Sequence, residues 1–455
     1  MRKKVIAVLL AVFMAGSTCA VYAEETGTEA AEAVTEVVTE AAAQADAETD
    51  TEAQDRAGET SDMILAEDDP DFSSMTIEEW GMYEFNKDYD TIIADVTSYD
   101  HDFLRSFLDS HWSTYLELGI SDPSTRTVSD EEARERLTAH HNMRMEALES
   151  VNQDEVEARR IYLWPRGQVP SVTEYTENEG YAYADWPDFE PYMLEMLVDE
   201  ETEVKGAVLL ASGGGHMYRS NVEEAYEVAL ALNDLGYQCF IVNYRVDPYT
   251  LAESGLDMAR AVRYVRSNAE KYGIEEDKIA CAGFSAGGSV STEMIDNWAG
   301  DVNASALVEG YEPDELDQVS ADVNAYLSIY GNYNTEAINT EEFPPTFFVI
   351  GGEDGWQDVS LCFNLVKDAG IQTEIHVFAG VPHGFGAGTH ADGTVYENAS
   401  TWPALADAFM QDAYANAEEA AQTAAEEAPA EDGAAAEETT EGAQETAEET
   451  TEAAE

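Results

Sequence analysis

The chain has 455 residues, 94 of them acidic and 22 basic, for a formal net charge of −72. That excess disfavours nucleic acid and anionic membrane surfaces as partners. Hydrophobic residues at 44% and aromatics at 10% still supply enough apolar side chain for a sizeable core.

The two ends differ from the middle. Met1–Lys4 carries three basic side chains, Val5–Ala15 is a short apolar run, and Val21 and Ala23 give a small-residue cleavage pattern before Glu24. Residues 1–23 are therefore predicted to be a secretory signal peptide, too short in its apolar part to span a bilayer, and the mature chain to be secreted. Gly16, Ser17 and Thr18 fit poorly before an acylated cysteine, which argues against an anchor at Cys19. Residues 24–71 and 418–455 are built mainly from Ala, Glu, Thr and Asp and are predicted to be a disordered acidic linker and tail. Removing the leader leaves Cys239, Cys281 and Cys362, an odd number in apolar or helical runs, so no disulfide is expected.

Residues 72–152 are predicted to form a helical extension, with Phe103, Leu104, Phe107 and Leu108 at helix spacing and a charged amphipathic helix over 130–151. The adjacent His140 and His141 have no second cluster spaced to make a metal site with them and are expected to be solvated. A strand is expected over 159–164, then an aromatic-rich irregular stretch to Pro191. From Val204 strands and helices alternate. Strands are predicted over 204–211, 238–244, 278–284, 325–330, 345–350 and 373–378, with helices over 222–235, 252–272, 286–298 and 359–369. Short Val-, Ile- and Phe-rich runs alternating with helices indicate an α/β class, with one mostly parallel sheet covered on both faces, over 153–417.

The sharpest motif is Gly283-Phe284-Ser285-Ala286-Gly287, a G-x-S-x-G placed where a predicted strand turns into a predicted helix. Such a turn is so tight that bulky flanking residues would collide, and it pushes Ser285 out beyond the sheet edge. A serine hydroxyl needs a base, and the base a carboxylate behind it. His383, directly after the last strand, is the histidine placed to reach Ser285; His376 lies in the strand and His390 further along. Asp354, at the turn after the 345–350 strand, is the first choice for the acid, ahead of Glu353 and Asp358. Ser212-Gly213-Gly214-Gly215-His216 follows a buried strand and lets main chain approach a substrate. Gly214, Gly215 and Ala286 are the predicted donors of an oxyanion hole. No phosphate-loop or dinucleotide fingerprint is present, and neither cofactor nor metal is expected.

Together with Tyr244-Arg245-Val246-Asp247-Pro248 and His383-Gly384-Phe385-Gly386, these residues resemble the α/β-hydrolase family. The likeness is to hormone-sensitive-lipase-like esterases and the secreted bacterial carbohydrate esterases related to them, over about 159–413. The resemblance implies an α/β-hydrolase fold and an esterase with Ser285, Asp354 and His383 as its triad. One departure stands out: many members have His before the three glycines, where this chain has Ser212 and carries a histidine after them, His216. The expected function is a metal-independent serine carboxylesterase that removes acetyl or similar small acyl groups through an acyl-enzyme, with carbohydrate esters as candidate substrates. Trp164, Trp186, Tyr218 and Trp356 are candidate sugar-stacking rings. The rival readings are a prolyl-oligopeptidase-like peptidase, which shares the same elbow and order, and a non-catalytic binding protein on the same fold.

Overall fold

The computed structural model describes residues 63–427, apart from 67–68, 95–106, 108–110, 112–113, 150, 334–337, 342 and 391–392. The predicted signal peptide, most of the predicted acidic linker and tail, and Phe103, Leu104 and Leu108 of the extension lie outside the described residues. The chain divides into Met1–Tyr414 and Ala415–Glu455; in the second unit the described residues, to Glu427, are helical.

Eight strands form one sheet: β1 (Ile161–Tyr162), β2 (Tyr192–Met196), β3 (Gly206–Ala211), β4 (Tyr237–Asn243), β5 (Ile279–Phe284), β6 (Ala325–Ile329), β7 (Thr346–Gly351) and β8 (Thr373–Phe378). Their spatial order is β1-β2-β4-β3-β5-β6-β7-β8. The six from β4 to β8 run parallel, while β1 and β2 pair antiparallel at one edge. Every residue of β3, β4, β5, β6 and β7 is buried, as their unbroken apolar runs require of a sheet covered on both sides. Successive residues of β7 show the two layers. The Phe347 ring packs 5.6 Å from Phe409 of the helix Trp402–Glu427, and Phe348 packs 5.8 Å from Phe363 of the helix Gln357–Asp368. Neighbouring strand residues point to opposite faces, so these two helices lie on opposite sides.

The helix Leu251–Ser267 starts at a capping box: Glu253 N donates to Thr250 Oγ1, and the Glu253 carboxylate accepts from Thr250 N at 2.8 Å. The same carboxylate accepts from Val172 N at 3.0 Å and Thr173 Oγ1 at 2.6 Å, which ties the long 163–191 loop to the helix. Burial pushes the pKa of this carboxyl up, but the donors from Ser171, Thr173 and Thr250 outweigh it and bring the pKa down to about 2.

Four expectations are corrected. The strand over 159–164 shrinks to β1, and the unassigned stretch after Pro191 forms β2, because its Tyr192–Met196 backbone completes the ladder along β4. Residues 63–66 and 69–71 of the supposed linker are packed: Ile64 N donates to Asn142 Oδ1 at 2.8 Å and Tyr83 OH donates to Asp69 at 2.7 Å. The short Met63–Leu65 apolar run, lost in the average composition, accounts for this. Residues 418–427 are helical, consistent with the high propensity of an Ala- and Glu-rich run that continues the helix from Trp402. His140 and His141 are buried at 3% and 0% exposure rather than solvated. His141 Nδ1 meets Glu84 at 2.8 Å and its Nε2 meets Ile64 O at 2.7 Å, while Arg144 Nη2 lies 2.9 Å from the same carboxylate. Helix Ile77–Ala94 supplies Glu84 and helix Asp130–Glu149 both histidines, so the polar groups satisfy one another between two helices of the extension.

Candidate active site

β5 delivers Ser285 at the parallel strands' C-terminal edge, and the helix Ala286–Asn297 begins immediately after it. Ser285 holds φ 49° and ψ −119°, a conformation L residues rarely adopt. The glycines explain how this is tolerated. A Cβ on Gly287 would lie 2.0 Å from Ala211 O, and one on Gly283 2.6 Å from Ser291 Oγ, so neither position admits a side chain. The strain aims the Ser285 hydroxyl out of the sheet.

His383 comes from the loop after β8 and Asp354 from the turn after β7. The Ser285 hydroxyl donates to His383 Nε2 at 2.8 Å, and His383 Nδ1–H donates to Asp354 Oδ2 at 2.7 Å. Residues 98 positions apart thus form one hydrogen-bonded line. Glu353 and Asp358 take no part in it: Glu353 N instead donates to Val381 O, fixing the loop that carries His383, and Asp358 sits in the first turn of the next helix. His376 bonds Glu374 on its own strand. Burial lowers the basicity of His383, but the hydrogen bond and charge of Asp354, with the charge of Glu224, outweigh it and leave the imidazole above its ordinary value.

The Gly213–Gly215 loop lies against this line. A Cβ on Gly213 would sit 2.6 Å from Ser285 Cβ. Gly213 N is taken by the Glu224 carboxylate at 2.5 Å. Among the described residues, the NH groups of Gly214, Gly215 and Ala286 meet no protein acceptor, and Ala286 N opens a helix whose N-terminal end favours negative charge. These are the donors expected of an oxyanion hole: Gly214 and Gly215 follow Gly213, which lies against Ser285, and Ala286 follows Ser285 itself.

The missing histidine before the glycines is replaced by several bonds. Ser212 Oγ donates to Asn221 Oδ1, Tyr244 OH donates to Ser212 O, and Asn221 Nδ2 donates to Asn243 Oδ1 at 2.8 Å. His216 bridges Ser254 at 2.7 Å and Asp247 at 3.2 Å. Tyr244 and Asp247 therefore brace the loop, and Arg245, buried, pairs with Asp257 at 2.8 Å to hold that segment in place.

Glu224 is the site residue that sequence reasoning missed. It lies in a π-helical turn, Val222–Tyr226, inside what reads as an ordinary amphipathic helix, where a glutamate is expected on the wet face. Here it is buried, and burial raises its carboxyl's affinity for a proton, while the His383 charge, Gly213 N and Tyr330 oppose the rise. Tyr330, at φ 40°, packs its ring 4.9 Å from that of His383 and accepts from Gly386 N at 2.9 Å. No sequence pattern singles Glu224 out beyond its place nine residues after the last glycine of the loop.

Of the proposed sugar-stacking rings, Trp164 is buried and donates to Asp257, while Tyr218 is half-buried beside Gly214. Trp356 is 52% exposed and Trp186 half-buried. Among the described residues no group of three or more His, Cys, Asp or Glu is placed to hold a metal, and no helix is long and apolar enough to cross a membrane. Cys239, Cys281 and Cys362 are buried and unpaired to one another.

Residues 194–349, from β2 to β7, match the BD-FAE family model. Over this stretch the chain is similar to the α/β-hydrolases. The chain is 24% identical over 199 residues to an acetylxylan esterase of Xylanibacter ruminicola, covering 40% of the chain and 42% of that protein. It is 27% identical over 244 residues to esterase LipC of Mycobacterium tuberculosis, covering 51% and 56%. A third likeness, 32% over 130 residues, is to endo-1,4-beta-xylanase B of Butyrivibrio fibrisolvens, covering 27% of the chain and 20% of that protein. The chain thus spans about half the length of the first two curated relatives it matches. Among solved structures, the acetyl ester-xyloside bifunctional hydrolase from Caldicellulosiruptor lactoaceticus aligns with a TM-score of 0.45 at 23% identity, covering 56% of this chain and 95% of that one.

Proposed function

We propose that the protein is a serine carboxylesterase that removes acetyl or other small acyl groups, with carbohydrate esters as its substrates. The observation that carries the reading is the line from Ser285 through His383 to Asp354, with the open NH groups of Gly214, Gly215 and Ala286 beside its reactive end. His383 Nε2 takes the Ser285 proton as Oγ attacks the acyl carbon. Asp354 holds the imidazole in the tautomer that leaves Nε2 free and stabilises the imidazolium that forms. The three NH groups receive the negative oxygen of the tetrahedral intermediate. Its collapse breaks the ester C–O bond, and His383 returns the proton to the departing alcohol. Water, deprotonated by His383, then releases the acid from the acyl-enzyme and restores Ser285. Likeness to an acetylxylan esterase and an endo-1,4-beta-xylanase supports a carbohydrate alcohol, and the basic, apolar and small-residue pattern of residues 1–23 supports export.

Fluorophosphonate labelling of wild type and Ser285→Ala tests the nucleophile. Labelling of the first and not the second is expected; a folded wild type that takes no label would leave the binding-protein reading standing. Turnover of p-nitrophenyl acetate and not of a proline-linked peptide anilide is expected, and the reverse preference would make the protein a peptidase. N-terminal sequencing of protein recovered from culture medium is expected to begin at Glu24.

A further inference from the structure

A groove of about 610 Å³ lies where the N-terminal extension meets the β1–β2 edge of the sheet. Helix Ile77–Ala94 supplies Tyr83 and Lys87, β1 and β2 supply Tyr162 and Tyr192, and the 163–191 loop supplies Tyr181 and Trp186. All of these residues fall outside the stretch that matches the family model. The volume is in the range of small-molecule and oligomer sites.

The groove's aromatic rings are held by cations. Arg166 lies 3.9 Å over the Tyr162 ring, Arg160 4.7 Å over Tyr192, and Lys87 5.1 Å over Trp186. The cations are held in turn by acids: Arg166 reaches Glu157 at 2.9 Å and also Glu190, and Tyr162 OH donates to Glu157 at 2.9 Å. Ring faces, guanidinium planes and carboxylates are thereby fixed before anything binds, which reduces the ordering cost of binding. Three cations (Lys87, Arg160, Arg166) face three acids (Glu157, Asp188, Glu190), so the lining is neutral in a chain of net charge −72. A polyanion would be repelled by the rest of the molecule and a polycation would find stronger sites elsewhere. A neutral ligand rich in hydroxyls, with apolar faces to lay on rings, matches what remains.

Backbone strain marks the same place. Tyr181 holds φ 55°, and it is kept there by Asn86 Nδ2 donating to its carbonyl at 2.6 Å and by the Tyr83 ring set edge-on at 5.2 Å. The groove's Tyr192 lies at the same end of the sheet as Ser285. Tyr192 pairs with Asn243, the last residue of β4, and Phe189 of the lining lies under Arg219 at 4.7 Å. Arg219, four residues after the glycine loop, donates to Tyr244 O at 2.7 Å. The lining thus continues into the frame that supports the oxyanion loop.

We propose that this groove is a second, non-catalytic subsite that takes a neutral oligosaccharide. Resting on the esterase reading only for its purpose, it holds the unreacting part of a polymer while an acylated sugar reaches Ser285. Retention by two sites raises the local concentration of ester at the nucleophile.

Calorimetric titration of the full chain carrying Ser285→Ala with xylohexaose, cellohexaose and oligogalacturonate tests the subsite apart from catalysis. Saturable binding of at least one neutral hexasaccharide, and weaker or no binding of the charged one, is expected. Adding Trp186→Ala is expected to weaken that binding tenfold or more, and Trp186→Phe to restore part of it; thermal unfolding of each variant verifies the fold. No saturable binding of either neutral hexasaccharide, equal binding by Trp186→Ala, or preference for the charged one would overturn the proposal. Binding without fluorophosphonate labelling of wild type would leave the subsite standing and remove the esterase.

Discussion

Gly214→Ala isolates the oxyanion loop from the rest of the site. Gly214 has φ 118°, and a Cβ there would lie 2.2 Å from Tyr218 O and 2.8 Å from the Tyr218 carbonyl carbon. Both are backbone atoms, so no side-chain rotation relieves the overlap. Met217 N and Tyr218 N both donate to Gly214 O, which makes the turn one unit that must shift as a whole. A misplacement of about 1 Å at a reacting centre already costs on the order of 100-fold, and loss of one oxyanion donor costs about 10²–10³ in kcat, roughly 2.7–4 kcal/mol. The expected result is a kcat on p-nitrophenyl acetate reduced by about 10²–10³ with a much smaller change in KM. Backbone strain of about 1–3 kcal/mol should lower the unfolding midpoint without unfolding the chain. Gly370→Ala is the control: its φ of 86° imposes similar strain, but nothing lies within 4 Å of the added methyl, so its turnover should stay within about twofold of wild type, since strain alone acts on stability. A folded Gly214→Ala protein with near wild-type kcat would show that the loop does not hold the oxyanion.

Three further outcomes are expected. Asp354→Asn keeps the shape of the pair with His383 but presents an NH2 to Nδ1, favouring the wrong tautomer, and should lower kcat by about 10⁴; a loss below tenfold would remove Asp354 from the mechanism. Because His383 acts as a base when neutral and its proton affinity is raised, kcat/KM should fall on acidification through a midpoint above 6.5; in Glu224→Gln that limb should move to lower pH, and a limb that stays or rises would show that Glu224 carries no charge felt by His383. Asp257→Ala removes the nearer of the two buried carboxylates beside Arg245, leaving Glu253 at 3.5 Å, and should cost about 3–5 kcal/mol in urea unfolding; a change under about 1 kcal/mol would mean that Glu253 alone compensates the guanidinium.

The esterase reading and the groove together suggest why an extension of this size precedes the sheet. Its helices bury a core of their own, with Phe72, Trp80 and Leu137 among it, and that core is continuous with the sheet domain's. The extension is thus fixed against the sheet edge rather than tethered beside it, which a shared groove requires.

How far the sequence reaches differs from element to element. β3 to β7 were legible because strands buried on both faces need unbroken apolar runs, and Ser285 because only glycine fits at positions 283 and 287 of so tight a turn. His383 and Asp354 followed from chain order, since in a parallel sheet the loops after successive strands open on one edge. The tertiary structure alone decided the rest. β1 and β2 are too short and mixed to announce themselves, and they exist because β4 offers an open edge. Glu224, His140 and His141 look like wet helix residues, because a helical pattern records which side chains are polar and not which polar groups find partners. The groove draws on Lys87 and Trp186, 99 positions apart, that no local period relates. Local patterns encode what a segment must hide; only the packing of distant segments decides which buried charges are paired and which surfaces become sites.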